Sequence, residues 1–255
     1  MELPMTTLTL ITGASRGLGR NTAVAVARGG GDVVLTYRNN ADEARAVVTE
    51  IEALGRKALA LQLDTGEVGA FDGFVERLRN GLRDVWQRDR FDHLVNNAGH
   101  GDMAPIAGTT VAQFDRLVDV HFKGVFFLTQ ALLPLIADGG RIVNLSSGLT
   151  RFAYPGYAAY AAAKAAVEVL TVYMAKEFGA RGIVVNTVAP GAIETDFGGG
   201  AVRDDAEINA HIAGITALGR VGVADDIGPM IAALLGEANR WVNAQRIEVS
   251  GGQAI

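Results

Sequence analysis

The residues best suited to chemistry lie in one short run, 146–164, which reads SSGLTRFAYPGYAAYAAAK. This run holds a hydroxyl (Ser147), a phenol (Tyr160) and an ammonium group (Lys164). A Pro-Gly pair interrupts it, and the alanine-rich segment that follows favours a helix. Because Tyr160 and Lys164 are four residues apart, they lie on one face of that helix.

A phenol beside a cation is suited to general acid–base chemistry. Its ordinary pKa of about 10 makes it a poor acid at neutral pH unless a nearby positive charge favours the phenolate. Lys164 is placed to supply that charge, and Ser147 to polarise the substrate oxygen that exchanges a proton with Tyr160. The same spacing also fits an ordinary surface pair on a helix, so the rest of the chain must decide.

The composition predicts a compact, soluble globule. Of the 255 residues, 49% are apolar and 20% are charged, and the net charge is -5. Without a basic patch, nucleic acid and membrane surfaces are not expected partners. The absence of cysteine excludes disulfides, thiolate metal sites and a cysteine nucleophile. No signal-like segment precedes residues 8–12 and no apolar run reaches membrane-spanning length, so a cytoplasmic location is predicted.

Short β-rich runs alternate with helical patterns along the whole chain. The predicted strands are 7–12, 32–37, 58–63, 93–96, 141–145, 183–188 and 246–249, and the predicted helices include 18–28, 41–54, 71–88, 111–137, 157–178 and 224–235. The strands are almost continuously apolar, as expected where helices cover both faces of a parallel sheet. We therefore predict an α/β, doubly wound Rossmann-like fold, a single domain over 1–255 with about seven strands.

A glycine-rich turn, 12–19, follows the first predicted strand and leads into a helix. Gly13, Gly17 and Gly19 let the backbone approach a phosphate group, and the start of the helix supplies N–H donors. A dinucleotide pyrophosphate fits this arrangement. The spacing differs from the Gly-x-Gly-x-x-Gly fingerprint, however, and a simple tight turn is the alternative.

The second strand ends in Thr36-Tyr37-Arg38-Asn39-Asn40, where an NAD site would place a carboxylate on the ribose 2′-hydroxyl. This stretch contains no aspartate or glutamate. Arg38, reinforced by Arg16, can instead pair with a 2′-phosphate, which indicates NADP and a preference for NADPH over NADH. The alternative is that Arg38 is a solvated loop cation. After the third strand, Asp64 can accept from an adenine amino group or form a turn.

Taken together, the motifs resemble the short-chain dehydrogenase/reductase family over essentially the whole chain. The matching stretches are Thr12 to Gly19, Asn96-Asn97-Ala98-Gly99, Ser147, Tyr160 with Lys164, Asn186-Thr187-Val188-Ala189-Pro190-Gly191, and Gly251-Gly252. The resemblance implies a single-domain Rossmann-like NAD(P)-dependent oxidoreductase that is a homotetramer or a dimer. With this ordered set, the accidental-pair interpretation of Tyr160 and Lys164 is no longer favoured.

The resemblance also implies a role for each matching residue. Tyr160 is implied to be the acid/base, Lys164 to lower its pKa and hold the nicotinamide ribose, and Ser147 to orient the carbonyl. The predicted cofactor-binding residues are Gly13, Ser15, Arg16, Gly17, Leu18, Gly19, Tyr37, Arg38, Asp64, Asn97, Ala98, Gly99, Tyr160, Lys164, Pro190, Gly191, Ile193 and Thr195.

The sequence departs from the family pattern at His121, where relatives usually carry an asparagine that belongs to a proton relay. We count His121 among the candidate catalytic residues, with a relay role and a structural role both open. The other histidines form no cluster typical of a metal site. Tyr157 has the spacing to Lys164 seen in the enoyl-thioester reductase branch, but that branch usually lacks this glycine turn, so Tyr157 is assigned to the pocket wall.

We therefore predict NADPH-dependent reduction of a ketone to a secondary alcohol, with the reverse oxidation possible. Broad carbonyl reductases and 3-oxoacyl-thioester reductases both fit the pattern. The resemblance implies a substrate lid over 196–216, and the three consecutive glycines in this segment predict that it is mobile. The predicted substrate-binding residues are His100, Tyr154, Tyr157 and Phe197. The alternative function is a dinucleotide-binding sensor or scaffold with weak or no turnover.

Overall fold

Seven parallel strands form one sheet in the computed structural model, which describes residues 6–255. They are β1 (Leu8–Ile11), β2 (Asp32–Tyr37), β3 (Ala58–Gln62), β4 (Phe91–Asn96), β5 (Ile136–Leu145), β6 (Val184–Pro190) and β7 (Arg246–Val249). Their order across the sheet is β3-β2-β1-β4-β5-β6-β7, and each neighbouring pair is parallel. The predicted doubly wound α/β fold is confirmed.

Helices cover both faces of this sheet. They are α1 (Gly17–Arg28), α2 (Ala41–Ala53), α3 (Phe71–Trp86), α4 (Val111–Val118), α5 (Gly124–Leu132), α6 (Ala158–Phe178), α7 (Ala201–Asp204), α8 (Ala206–Gly214) and α9 (Gly228–Leu234). Side chains of α1, α2 and α9 pack on one face, and those of α3, α5 and α6 on the other. Leu10 and Ile11, consecutive in β1, belong to opposite apolar clusters. Because both faces are buried, apolar residues can occupy consecutive positions of the strand, and its one polar residue, Thr9, is itself fully buried.

The helix predicted over 111–137 is interrupted and ends earlier in the structure. A π-helical turn, Asp119–Lys123, separates α4 from α5, and a 3₁₀ turn, Leu133–Leu135, closes the run. Strand β5 then begins at Ile136 rather than at residue 141, because Ile136 pairs with Phe91 ahead of a shift in register. Ile136 is fully buried there. Its apolar side chain continues the helical pattern of the sequence, but its backbone pairs with β4 and so belongs to a strand.

Two further segments differ from their predicted form. The predicted helix 224–235 starts as a 3₁₀ turn, Ala224–Asp226, and becomes α-helical only at α9. The predicted lid contains α7 and α8, which follow three glycines with positive φ values of 61°, 77° and 81°. Such left-handed backbone is accessible mainly to glycine, so these residues turn the chain between β6 and the two short helices.

The strand order reverses between β1 and β4. In an open parallel sheet a ligand crevice forms outside the carboxyl ends of the strands at this reversal. The loops after β1 and β4 therefore flank the expected crevice. The loops after β5 and β6 lie next to it along the same edge.

Candidate active site

The glycine turn after β1 and the turn after β4 are joined by hydrogen bonds. Gly13 and Gly17 have φ values of 64° and 56°, which favour glycine. A Cβ atom on Gly19 would lie 2.4 Å from the carbonyl oxygen of Gly13 and 2.5 Å from Nδ2 of Asn97. That Nδ2 donates to the carbonyl oxygens of Thr12 (2.8 Å) and Gly13 (3.1 Å). Position 19 therefore admits only glycine, and Asn97 fixes the shape of the turn.

This turn is suited to holding a dinucleotide phosphate. Helix α1 begins at Gly17, so its first N–H groups and the positive end of its dipole face the turn. Arg16, at the N-cap position, supplies no side-chain acceptor for those N–H groups. An anionic group can fill that role. Phosphate binding at this turn remains a prediction.

The two arginines predicted to select NADP lie beside this turn. Arg38 is exposed directly after β2, and its carbonyl oxygen accepts from Nε2 of Gln62 at 2.9 Å. Within residues 6–255, no carboxylate lies within ion-pair distance of its guanidinium. Arg16 forms an exposed ion pair with Asp196 of the predicted lid, at 3.5 Å. The free guanidinium of Arg38 fits a phosphate better than it fits a ribose hydroxyl.

The remaining predicted cofactor residues also lie at the carboxyl edge of the sheet. Oδ1 of Asp64 accepts from the backbone N–H of Gly66 at 2.9 Å, so Asp64 does form the turn that was one of its two predicted roles. The others are Ser15 and Leu18 in and after the glycine turn, Tyr37 at the end of β2, Ala98 and Gly99 after β4, and Pro190, Gly191, Ile193 and Thr195 at and after the end of β6.

Ser147, Tyr160 and Lys164 lie next to the carboxyl end of β5. Tyr160 and Lys164 are one turn apart on α6 and are only 6% and 4% exposed. Nζ of Lys164 donates to the carbonyl oxygen of Leu145 at 2.7 Å and lies 5.8 Å from the centroid of the Tyr160 ring. Oγ of Ser147 accepts from the backbone N–H of Leu149 at 3.2 Å. The helix pair is buried and does not form a surface ion pair.

Burial controls the protonation of this group. It raises the pKa of the Tyr160 phenol well above the usual range, and a hydrogen bond to Ser147 lowers that pKa in part. Burial also lowers the pKa of Lys164 to about 8. The expected lowering of the Tyr160 pKa by Lys164 is not among the influences on the phenol in this structure. At neutral pH the phenol is therefore protonated, the state required to donate a proton.

His121 lies in the π-helical turn, fully buried against Tyr160. The two rings meet edge to face with their centroids 5.0 Å apart. Nε2 lies 2.7 Å from the carbonyl oxygen of His100 and 3.3 Å from its backbone nitrogen, and the shorter contact assigns the proton to Nε2. Within residues 6–255, the buried Nδ1 has no hydrogen-bond partner. Burial and the charge of Lys164 hold the pKa of His121 well below its usual range, so the ring is neutral. Its relay role remains a prediction.

We expect His121 to weaken the protein in mild acid. The unfolded chain binds a proton at this histidine below its usual pKa of 6.5, whereas the folded chain does not. One such histidine costs about 2 kcal/mol of unfolding free energy between pH 7 and pH 5. Urea unfolding at both pH values should show a smaller loss for His121→Asn than for the wild type.

The exposed His211 on α8 supplies the control for this experiment, because His211→Asn should lose as much stability as the wild type. His93, whose pKa burial lowers to about 4, and His100, whose pKa burial also lowers, are present in all three proteins. An equal loss in His121→Asn and the wild type would show that His121 does not stay neutral in the folded state.

All four predicted substrate-binding residues fall in one aromatic cluster around Tyr160. The ring centroids of Phe197 and Tyr157 lie 5.6 and 6.4 Å from that of Tyr160, and Tyr154 lies 6.2 Å from Tyr157. His100 stacks at 5.2 Å on the buried histidine described above. Tyr154 and Phe197 are 49% and 41% exposed, so the cluster opens to solvent.

Sequence reasoning missed a further residue that shapes the site. Oε1 of Gln253 accepts from the backbone N–H of Ala192 at 2.9 Å, and Gln253 is only 5% exposed. It thereby holds the loop after β6 in place from the C-terminal end of the chain. An amide side chain directly after Gly251-Gly252 was the available signal.

One helical run, Ala158–Arg181, is long and apolar enough to cross a membrane by length and composition, with a mean hydropathy of 1.2. The statement that no apolar run reaches this length is therefore wrong. The run includes α6, which packs on the sheet through Val167, Met174 and Ala175 and carries the buried Tyr160 and Lys164, as a core helix does. Among the described residues, no three His, Asp or Glu side chains are grouped so as to hold a metal ion.

The chain is similar to known oxidoreductases over nearly its whole length. A family model described as enoyl-(acyl carrier protein) reductase matches residues 13–254. The short-chain dehydrogenase/reductase FrzI of a Cladobotryum species is 36% identical over 248 residues, which cover 95% of this chain and 94% of FrzI.

Two solved structures have the same architecture. LugOII, a promiscuous reductase that catalyses keto-reduction at C1 during lugdunomycin biosynthesis, matches with a TM-score of 0.92 and 38% identity over 98% of each chain. The angucycline C-6 ketoreductase LanV, crystallised with bound NADP, matches with a TM-score of 0.92 and 35% identity over 97% of this chain and 95% of LanV.

Proposed function

Because the chain belongs to the short-chain dehydrogenase/reductase family, we infer that it reduces a ketone to a secondary alcohol with NADPH, in a reversible reaction. It is an NADP-dependent oxidoreductase. The observation that carries the proposed reaction is the buried, protonated Tyr160. A hydrogen bond with Ser147 lowers its pKa in part, and Lys164 lies one helical turn away.

The residues present fit NADP. The glycine turn and the start of α1 would hold the pyrophosphate, and Arg38, with Arg16, would hold the 2′-phosphate. Nζ of Lys164 uses one N–H group on the carbonyl oxygen of Leu145, which leaves two for hydroxyls of the nicotinamide ribose. When bound, NADPH supplies the hydride that reduces the carbonyl carbon.

The protein's own part in the reaction is to bind the carbonyl oxygen and protonate it. Oγ of Ser147 accepts from the N–H of Leu149, so its own proton can be donated, and it would turn from the Tyr160 oxygen to the carbonyl oxygen when substrate binds. Tyr160 gives its proton to that oxygen as negative charge develops there. Lys164 is mostly protonated below pH about 8. It is not among the influences on the Tyr160 pKa in this structure, but its charge lies 5.8 Å from the centroid of the Tyr160 ring and would attract the phenolate left behind. Both donors are in place before the charge forms.

The aromatic cluster favours a flat aromatic or conjugated ketone as substrate. Rings at 5.6 and 6.4 Å from the Tyr160 ring can stack on a planar molecule but offer few polar partners to a flexible chain. The similarity to the ketoreductases LugOII and LanV supports a ketone. A 3-oxoacyl thioester is the second candidate, because the matching family model is described as a reductase of substrates carried on acyl carrier protein.

Assembly, location and lid motion are also proposals. The exposed face of α6 presents Val169, Val172 and Tyr173 at 60%, 49% and 63% exposure, which supports a homotetramer or a dimer. A cytoplasmic location, a single domain over 1–255 and a mobile lid over 196–216 also remain predictions.

We expect purified protein to oxidise NADPH when a suitable ketone is present. The panel contains a bicyclic aryl ketone, an aliphatic diketone, a sugar-like ketone and a 3-oxoacyl thioester, with NADH run in parallel. The bicyclic ketone should show a kcat/KM about tenfold above the aliphatic substrates, the scale set by differences in apolar contact. Tight NADPH binding with no turnover on any substrate would favour the sensor or scaffold alternative.

A further inference from the structure

A carboxylate on the catalytic helix holds the chain on both sides of Ser147. Glu168 lies on α6, one turn after Lys164. Its Oε1 accepts from Oγ of Ser146 at 2.6 Å and from Oγ1 of Thr150 at 2.8 Å. Ser146 directly precedes Ser147, and Thr150 is three residues after it. One oxygen atom therefore anchors the segment that presents the Ser147 hydroxyl.

Arg246 of β7 completes this contact from the other side. Its Nε donates to the same Oε1 of Glu168 at 2.8 Å. Its Nη2 lies 3.0 Å from Oγ1 of Thr150 and 3.4 Å from the carbonyl oxygen of Ser147. The side chains of Glu168 and Arg246 are only 19% and 27% exposed. Shielded, multiply hydrogen-bonded charges hold their geometry better than surface ion pairs do.

The position of Ser147 relative to Tyr160 depends on two separate elements. Ser147 follows β5 as the N-cap of a short 3₁₀ turn, Gly148–Thr150, whereas Tyr160 is part of α6. Tyr160, Lys164 and Glu168 are spaced four residues apart, so they lie along one side of the helix. Glu168 is thus the rigid link from the helix that carries the phenol to the turn that carries the hydroxyl.

We propose that Glu168, supported by Arg246, is a positioning residue that holds the Ser147 hydroxyl where it and Tyr160 reach the same substrate oxygen. The inference rests on the proposed reductase function, and Glu168 itself contacts neither substrate nor cofactor in it. An oriented catalytic group loses much of its effect when it moves by a fraction of an ångström to an ångström.

A double-mutant cycle on the full-length protein tests this coupling. In the wild-type background, Glu168→Ala should lower kcat about tenfold, because Ser147 becomes misplaced. In the Ser147→Ala background, the same change should lower kcat less than about twofold, because no hydroxyl is left to position. Glu168→Gln, whose amide oxygen still accepts from both hydroxyls, should recover most of the activity.

Glu177 supplies a matched control on the same helix. It is exposed on α6, so Glu177→Ala removes a carboxylate from the helix without touching the turn. It should leave kcat unchanged in both backgrounds. An equal loss of kcat from Glu168→Ala with and without the Ser147 hydroxyl would overturn the proposal, because a general structural defect behaves in that way.

Amide hydrogen exchange tests the anchoring without turnover. The backbone N–H of Leu149 donates to Oγ of Ser147, and peptides spanning 146–152 report on that turn. Glu168→Ala should speed exchange there about tenfold, and Glu177→Ala should not. Unchanged exchange in Glu168→Ala would overturn the inference whether or not the protein is active. Silence of the wild type on every ketone would instead count against the proposed function alone.

Discussion

Replacing Tyr160 by Phe should lower kcat about 10³-fold, within the range that loss of a general acid costs. The change removes only the phenolic hydroxyl. The ring keeps its contacts with Phe197 and His121, so the protein should remain folded. Because the phosphate-binding turn and Arg38 are untouched, the Kd for NADPH should change less than about threefold. Steady-state kinetics on the best ketone and a fluorescence titration with NADPH measure the two quantities.

Tyr157 provides the matched control for this variant. It presents the same chemical group next to Tyr160 and has the alternative spacing to Lys164 that one branch of the family uses. If Tyr160 is the acid, Tyr157→Phe should retain most of its kcat and alter mainly KM, because Tyr157 belongs to the pocket wall. If Tyr157→Phe instead abolishes turnover while Tyr160→Phe does not, the two tyrosines have exchanged roles and the proposed mechanism is wrong.

The sequence predicts the fold well because both faces of the sheet are buried. Leu10 and Ile11 face opposite apolar clusters, so most strand positions on both faces are apolar. The polar exceptions are themselves buried, as where Asn96 donates to Asn144. Boundaries were less predictable. Ile136 continues the helical pattern of 111–137, yet pairing with Phe91 places it in β5. Strand pairing depends on residues distant in sequence, which a local pattern does not contain.

In the candidate site, too, the features that depend on nearby residues were predictable and those that depend on distant residues were not. The helical spacing of Tyr160 and Lys164 follows from local geometry, whereas the need for glycine at position 19 comes partly from Asn97, which is distant in sequence. The direction of the Tyr160 pKa does not follow from local geometry either, because sequence reasoning considered the charge of Lys164 but not the larger effect of burial. The contacts of Glu168 with Ser146 and Arg246 join three separate elements, and only the folded chain brings them together.

Arg38→Asp should reverse the cofactor preference. In the wild type, the free guanidinium at the end of β2 would pair with the 2′-phosphate of NADPH, an interaction that NADH lacks. A carboxylate at position 38 would repel that phosphate and accept from the 2′-hydroxyl of NADH. We expect KM for NADPH to rise about 100-fold while KM for NADH falls, with kcat nearly unchanged, because the change alters binding far from the reacting atoms.

The control must separate a local contact from a change in overall charge. Arg45→Asp makes the same charge change on the exposed surface of α2, where Arg45 forms an ion pair with Asp42, and it should leave both KM values unchanged. If Arg38→Asp also leaves the NADPH KM unchanged, Arg38 is the solvated loop cation that the sequence left open. Arg16, which already faces the lid through Asp196, would then be the remaining candidate for the 2′-phosphate. In that case cofactor selection would be tied to lid position, since a phosphate on Arg16 competes with the carboxylate of Asp196.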